Sequence, residues 1–362
     1  KAAEVGHLLV TNPLDVGYLT GFLGGESYLL VPESGRPVVI SDFRYEEELE
    51  PVKPIADVYI RKTGMLPATA EVIRSAGVRR CGVQAEHMNL ADFRALGELL
   101  GGAKDGAGLA KGGRVELVTT SGLVGKLRAI KDEHEIALMR KATRIQEAAL
   151  VAVIPTLRRG KGAGKTELEI AARLEAEMKS RGSSQPGFQS IIAAKANGSL
   201  PHYRPGPVKA AKDRPLLVDW GATYQGYQSD MTRTFTLGKW PRKIAEIYQI
   251  VLEAQEMAAA ALAPGKTTHE IDAVARVHIT RHGYGQEFGH GLGHGLGLSK
   301  DPPYLNPMVP MITLEVGHVC TVEPGIYLPG IGGVRIEDLY VIRPGGAENL
   351  CKMRKDMEWA TL

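Results

Sequence analysis

The chain has 362 residues, enough for two domains and a sizeable core without metal or disulfide staples. Lys and Arg number 44 against 41 for Asp and Glu, a balance too even to point to nucleic acid or an anionic membrane as partner. Hydrophobic residues make up 44% and charged residues 23%, which excludes global disorder. Cys81, Cys320 and Cys351 are odd in number and widely spaced, so neither a disulfide framework nor a structural zinc site is expected. A reducing cytoplasm fits that usage. No apolar run approaches the ~20 residues of a membrane span. The chain opens on Lys1 with no charged segment leading into an apolar one, so no secretory leader is expected.

The N-terminal third reads as small α/β alternation. His7–Thr11, Tyr28–Pro32 and Val38–Ile40 are short apolar runs between turn signals, hence strands. Phe43–Glu50 and Ala91–Leu100 read as exposed helices. Gly101–Gly113 holds six glycines and reads as a loop, and Val115–Val118 as a further strand. A boundary over Ser121–Lys126 gives two expected domains, 1–122 and 123–362.

From Asp132 the pattern changes. Ile136, Met139, Ala142, Ile145, Ala149 and Val153 recur at three- and four-residue spacing, one face of a long helix. Thr166-x-x-Glu169 is a capping box that starts a second helix, stopping at Gly182. The pattern then repeats. Gly164-Lys165-Thr166-x-x-Glu169-Ile170 matches Gly265-Lys266-Thr267-x-x-Glu270-Ile271, and Gly182 matches Gly283. Each copy follows a long helix, the second over roughly Ile244–Ala263. Two copies of a long period indicate an internal duplication, with a pseudo-twofold axis and a site where the halves meet. Gly160–Thr166 looks like a phosphate-binding loop, but position 159 is Arg and a helix precedes it, so the capping box explains it better.

The chemistry-bearing residues lie after each repeat. Asp219 closes the apolar run Leu216–Val218, and Asp230 opens the next strand across a turn at Gly226. They are either two solvated turn aspartates or a buried pair that only a cation can reconcile. His290 and His294 sit among five glycines in Phe288–Gly297, a segment too glycine-rich for a helical zinc pair. Glu323 and Glu337 each follow an apolar strand. Together Asp219, Asp230, His294, Glu323 and Glu337 make four carboxylates and one imidazole, a set that roughly two divalent cations compensate. Oxygen-rich ligation with one imidazole suits Mn²⁺ or Co²⁺, and also admits Fe²⁺ or Zn²⁺.

These residues carry a family resemblance. Tyr18-Leu-Thr-Gly-Phe22, Leu127-Arg-x-Ile-Lys131, Asp219-x-Gly221, Ser229-Asp230-x-Thr-Arg233, Gly293-His294-Gly-x-Gly297, Glu323–Tyr327 and Gly333–Asp338 occur in order along nearly the whole chain. The chain resembles the pita-bread metallopeptidases that cleave Xaa-Pro bonds, prolidase and aminopeptidase P. Methionine aminopeptidase fits less well, because it lacks the N-terminal domain. The resemblance implies an α+β protein, with a small creatinase-like α/β domain followed by a pseudo-twofold pita-bread domain. It implies two divalent metals on Asp219, Asp230, His294, Glu323 and Glu337, with Asp230 and Glu337 bridging. A hydroxide held between the metals would attack the peptide, and Glu323 would act as general acid/base. His202, His290 and Arg335 match positions that line the substrate pocket. The expected substrate is a small peptide with proline second, and the expected assembly a homodimer.

One departure stands out. The family carries His-Glu seven and eight residues after the ligand histidine, and here those places hold Asp301 and Pro302. The missing histidine donates a hydrogen bond to the substrate oxyanion, whereas an ionised aspartate only accepts. Losing such a donor costs ~10²–10³ in rate. An alternative expectation follows: the same metals run non-peptide hydrolase or lyase chemistry, with Asp301 as a base. A third, a binding protein without catalysis, conflicts with the presence of all five ligands.

Overall fold

The computed structural model describes residues 5–101, 115–158 and 163–362. The expected glycine-rich loop after Gly101 and the start of the phosphate-loop-like run at Gly160 lie outside the described residues. The chain divides into two compact units, Lys1–Leu127 and Arg128–Leu362.

The first unit is built on a six-stranded mixed sheet, β1 (His7–Val10), β2 (Tyr28–Pro32), β3 (Val38–Ser41), β4 (Asp57–Ile60), β5 (Arg80–Gln84) and β6 (Glu116–Thr120). Their spatial order is β4-β3-β2-β1-β5-β6. Helices α1 (Pro13–Thr20), α2 (Met65–Ser75) and α3 (Leu90–Leu99) complete it. Leu9, Leu30 and Ile40 from the sheet bury against Ile73 of α2 and Leu96 of α3. The expected helix over Ala91–Leu100 forms as α3, started by the Asn89 side chain accepting from the Asp92 N–H. The helix expected over Phe43–Glu50 does not form. Asp42 caps a single 3₁₀ turn at Phe43–Tyr45, and a second covers Glu50–Val52. Pro51 and Pro54 carry no N–H and disfavour helical geometry in the residue before them, and Glu46–Glu48 set three like charges side by side.

Helix α4 (Leu123–Ala129) carries the chain into the second unit. There α5 (Glu133–Leu157) starts on an Asp132–Glu135 capping box and buries Ile136, Met139, Ala142, Ile145, Ala149 and Val153, the predicted face. α6 (Glu167–Ser180) and α8 (Thr268–Arg281) start on the two predicted capping boxes, with both reciprocal bonds formed in each. α7 (Arg242–Ala261) precedes α8 as α5 precedes α6. The duplication extends to the backbone. Thr166 bridges to Lys209 and Thr267 to Thr313, while Gly164 N donates to Ala210 O and Gly265 N to Leu314 O. Gly164 and Gly265 both adopt positive φ (92° and 86°), which admits glycine without strain.

The strands repeat as well. The first half holds β7 (Ile191–Ala194), β8 (Pro215–Trp220), the hairpin β9 (Thr223–Tyr224) and β10 (Tyr227–Gln228), and β11 (Met231–Thr236). The second holds β12 (Gly293–Leu296), β13 (Lys300–Leu305), β14 (Val319–Val322), the hairpin β15 (Gly325–Leu328) and β16 (Gly332–Arg335), β17 (Asp338–Arg343) and β18 (Gly346–Asn349). The order β11-β8-β7 in one sheet recurs as β17-β14-β12 in the other. Every residue of β8, β11 and β14 is buried, so the strand ends that carry the acids open from the core, not from the surface.

Arg233 on β11 fastens this core. Its side chain is fully buried, and its five N–H donors all find oxygen. They reach the carbonyls of Thr232, Glu337, Met353 and Arg354 and the Asp338 carboxylate. Burial alone pushes the Asp338 carboxyl up, but the Arg233 and Lys355 charges outweigh it and hold it below its usual range. Arg233→Ala leaves Asp338 buried and half-paired. It is expected to cost about 3–5 kcal/mol of unfolding free energy in denaturant titrations, and to open the segment after Cys351 to protease. A loss below about 1 kcal/mol, the level of an ordinary surface change, contradicts this role.

Candidate metal centre and cavity

Asp219 lies near the end of β8, and Asp230 just before β11; the antiparallel register sets Thr232 opposite Asp219. His294 is the second residue of β12, Glu323 follows β14, and Glu337 sits between β16 and β17. All five line one cavity of about 560 Å³. Two come from the first half and three from the second.

Close backbone approach packs these strands. A Cβ on Gly293 would stand 2.1 Å from Thr321 O, and one on Gly221 2.1 Å from Ser229 O. Only glycine fits at either position, which accounts for part of the glycine-rich spelling around the two ligand segments.

The electrostatics of the cluster are strained. Burial pushes Asp230 well above its usual range, and the Asp219 and Glu323 charges push further. Burial likewise raises Glu337, followed by the charges of Asp230, Glu323 and Asp219. Glu323 is pushed up to about 7, chiefly by burial, with Arg335 opposing. Asp219 Oδ1 and Glu337 Oε1 are buried with no hydrogen-bond partner among the described residues. Orphaned carboxylate oxygens are rare in a folded core. His294 donates from Nδ1 to Gly295 O at 3.1 Å, which leaves the Nε2 lone pair facing Glu323 Oε1 at 3.4 Å and Asp230 Oδ2 at 3.6 Å. Burial and then the Lys300 charge lower His294 to about 3, so the ring is neutral. Four carboxylates, two unpartnered oxygens and a neutral imidazole are a donor set that fits divalent cations.

The pocket residues form a chain of bonds. Arg335 Nη2 donates to Asp219 Oδ2 at 2.6 Å and Nη1 to Tyr327 Oη at 3.0 Å. His290 donates from Nδ1 to Gly291 O at 2.7 Å, so its Nε2 accepts from the Tyr327 hydroxyl at 2.8 Å. Arg335 Nε donates to Thr232 Oγ1, whose hydroxyl donates to Glu337 Oε2 at 2.7 Å. Thr321 donates to Glu323 Oε1 at 3.0 Å. His202 lines the cavity from an exposed position. Sequence reasoning missed Tyr327, Thr232 and Thr321. Tyr327 and Thr232 lie inside conspicuous motifs and Thr321 two residues before one, but only the fold shows what each hydroxyl touches. Among the described residues a second close set, Glu253 with His278 and His282, lies on α7 and the C-terminal end of α8. There His278 Nε2 faces Glu253 Oε2 at 3.2 Å, across the two helices.

Asp301 does not take the place expected of it. Its side chain is turned away from the cavity and only 7% exposed. Both its oxygens bond Arg128, and Ser299 joins the pair. Buried Lys131 lies alongside, lowered to about 8, chiefly by burial, with the Asp301 charge opposing. Strand geometry is the reason. Exposure alternates along β13, with Lys300, Pro302 and Tyr304 on the open face and Asp301, Pro303 and Leu305 on the buried one. Counting seven residues from His294 lands on the wrong side of the pleat, and Lys300 lines the cavity instead.

The comparisons agree with this architecture. Residues 1–130 match the creatinase/prolidase N-terminal domain, and residues 137–344 match metallopeptidase family M24. A Xaa-Pro dipeptidase of Pyrococcus furiosus is 32% identical over 98% of this chain and 95% of its own length. A solved Xaa-Pro dipeptidase from Bacillus anthracis superposes with a TM-score of 0.91 at 33% identity, covering 99% of this chain and 95% of that one. An X-Pro aminopeptidase from Thermotoga maritima superposes at 0.86 with 30% identity, covering 99% and 98%. A fold of two units, repeated strand-end acids and a match over most of the second unit place the chain in metallopeptidase family M24.

Proposed function

We propose that this enzyme hydrolyses peptide bonds that precede proline, using two divalent cations held by Asp219, Asp230, His294, Glu323 and Glu337. The observation that carries the reading is the convergence of four buried carboxylates, two with unpartnered oxygens, in one cavity of a family M24 chain. Relatives named for both dipeptidase and aminopeptidase activity match nearly the whole chain, so proline in the second position is the shared element. Manganese suits the oxygen-rich set, and a homodimer is the proposed assembly. The three cysteines are free and buried, which supports a reducing compartment such as the cytoplasm. Among the described residues no helix is long and apolar enough to cross a membrane.

Bound cations acidify water and polarise the scissile carbonyl. The rest falls to the protein. Glu323, steadied by Thr321, takes a proton from the attacking water and returns it to the prolyl nitrogen as the C–N bond breaks. Arg335 fixes Asp219 and, through Thr232, Glu337, so that two candidate ligands share one anchor. His290 and Tyr327 brace that arginine from the pocket side. Asp301 has no part in the chemistry, because it is ion-paired behind the sheet. The reading with Asp301 as base therefore lacks support in the geometry.

Hydrolysis of a panel of Xaa-Pro dipeptides and Xaa-Pro-Yaa tripeptides, with and without Mn²⁺ and chelator, tests the reading. Chelator-sensitive cleavage is expected, and the preferred length separates dipeptidase from aminopeptidase. Asp230→Asn is expected to abolish cleavage and to lower bound manganese in elemental analysis; full activity in that variant sinks the mechanism. Asp301→Asn is expected to cost about 3–5 kcal/mol of stability, because it removes the carboxylate charge that faces buried Arg128. Its kcat is expected to fall less than about tenfold, equivalent to ~1.4 kcal/mol. A complete loss of turnover in a folded Asp301→Asn protein favours the base role instead.

A further inference from the structure

The cavity needs a donor for the substrate oxygen, and its polar groups are mostly engaged. Arg335 is spent on Asp219, Tyr327 and Thr232. Both ring nitrogens of His290 are taken, Nδ1 by Gly291 O and Nε2 by the Tyr327 hydroxyl. Lys300 differs. Leu296 pairs directly with Lys300 across β12 and β13, two residues along from His294, and Lys300 and His294 both line the cavity wall. Among the described residues its ammonium makes no hydrogen bond or ion pair; it lies 6.0 Å from the centre of the Phe188 ring, which also lines the cavity. Its charge is felt by Asp230, His294 and Glu323. A cation with three uncommitted N–H groups thus overlooks the candidate ligands.

We propose that Lys300 donates a hydrogen bond to the oxygen of the scissile carbonyl as that oxygen becomes negative, supplying the donor that a histidine supplies elsewhere in the family. The inference rests on the peptidase reading above. As water oxygen bonds to the carbonyl carbon, the carbonyl π pair moves onto oxygen, and Lys300 meets that charge without giving up its proton. When the C–N bond breaks, the pair returns to re-form the carbonyl. The contact is stronger in the transition state than in the ground state, so its loss falls on kcat rather than on KM. A lysine that only anchored the substrate carboxylate would show the reverse.

The test compares Mn²⁺-loaded wild type, Lys300→Met and Lys300→His with Ala-Pro as substrate and its phosphinic analogue as ligand. In the analogue a tetrahedral anion replaces the scissile carbonyl. Lys300 is exposed, so the variants are expected to melt with the wild type. Lys300→Met is expected to lower kcat by ~10²–10³ with KM changed less than about threefold, and to weaken phosphinate binding by a similar factor. Lys300→His is expected to recover at least about tenfold of the lost rate. An unchanged kcat in Lys300→Met, or a rise in KM alone, overturns the proposal. If the wild type cleaves no Xaa-Pro peptide, the peptidase reading fails separately. Phosphinate affinity then still decides for Lys300, since equal binding by wild type and Lys300→Met removes its role.

Discussion

Four carboxylates meet inside one cavity, and their mutual repulsion shapes everything built around them. Two unit charges 4 Å apart repel by about 4 kcal/mol at the effective dielectric of a protein interior near its surface. Arg335 answers only Asp219 by direct contact, and Thr232 and Thr321 supply hydroxyls to Glu337 and Glu323. That leaves more anion than the side chains can settle. The protein holds the cluster in tension through a rigid, fully buried strand framework, and the tension is relieved by positive charge brought from outside.

The framework uses one device twice. At the entrance to β17, Glu337 faces the cavity, and the next residue, Asp338, is locked behind it by Arg233. Along β13, Lys300 faces the cavity, and the next residue, Asp301, is locked behind it by Arg128. In each case the pleat sends neighbouring side chains to opposite faces, and a buried arginine grips the inner one. The gripped carboxylate anchors the strand's inner face beside the residue that faces the cavity. The Leu127-Arg-x-Ile-Lys131 segment, conspicuous in the sequence but without an evident task there, supplies the grip for Lys300.

Much of this was legible in the residues themselves. Both capping boxes form as spelled, because a Thr with Glu three places on satisfies its own helix end locally. The five candidate ligands were found as acids and an imidazole beside apolar runs, and the fold gathers them into one cavity. What failed needed more than spacing. Phe43–Glu50 read as an exposed helix, yet two prolines just beyond it broke the run. Asp301 was placed by counting along the chain, and counting is blind to which side of a strand a residue occupies. Tyr327 and Thr232 act through hydrogen bonds to partners far away in sequence, which no local pattern displays.

The internal repeat places the four acids alike but not the imidazole. Each half sets an acid at the end of its central strand and another at the entrance to the strand after its hairpin. Gly295 pairs with Cys320, three residues before Glu323, as Ala194 pairs with Leu216, three residues before Asp219. His294 thus falls where the first half has Ala193, and no nitrogen donor answers it across the axis. That difference makes the two ends of the cluster chemically unlike. An ion of borderline softness gains from the imidazole end, whereas a hard ion finds carboxylate oxygens at either. If the cavity holds the two proposed cations, this single break in symmetry would give it two grades of ion preference, a consequence of the fold rather than of the medium.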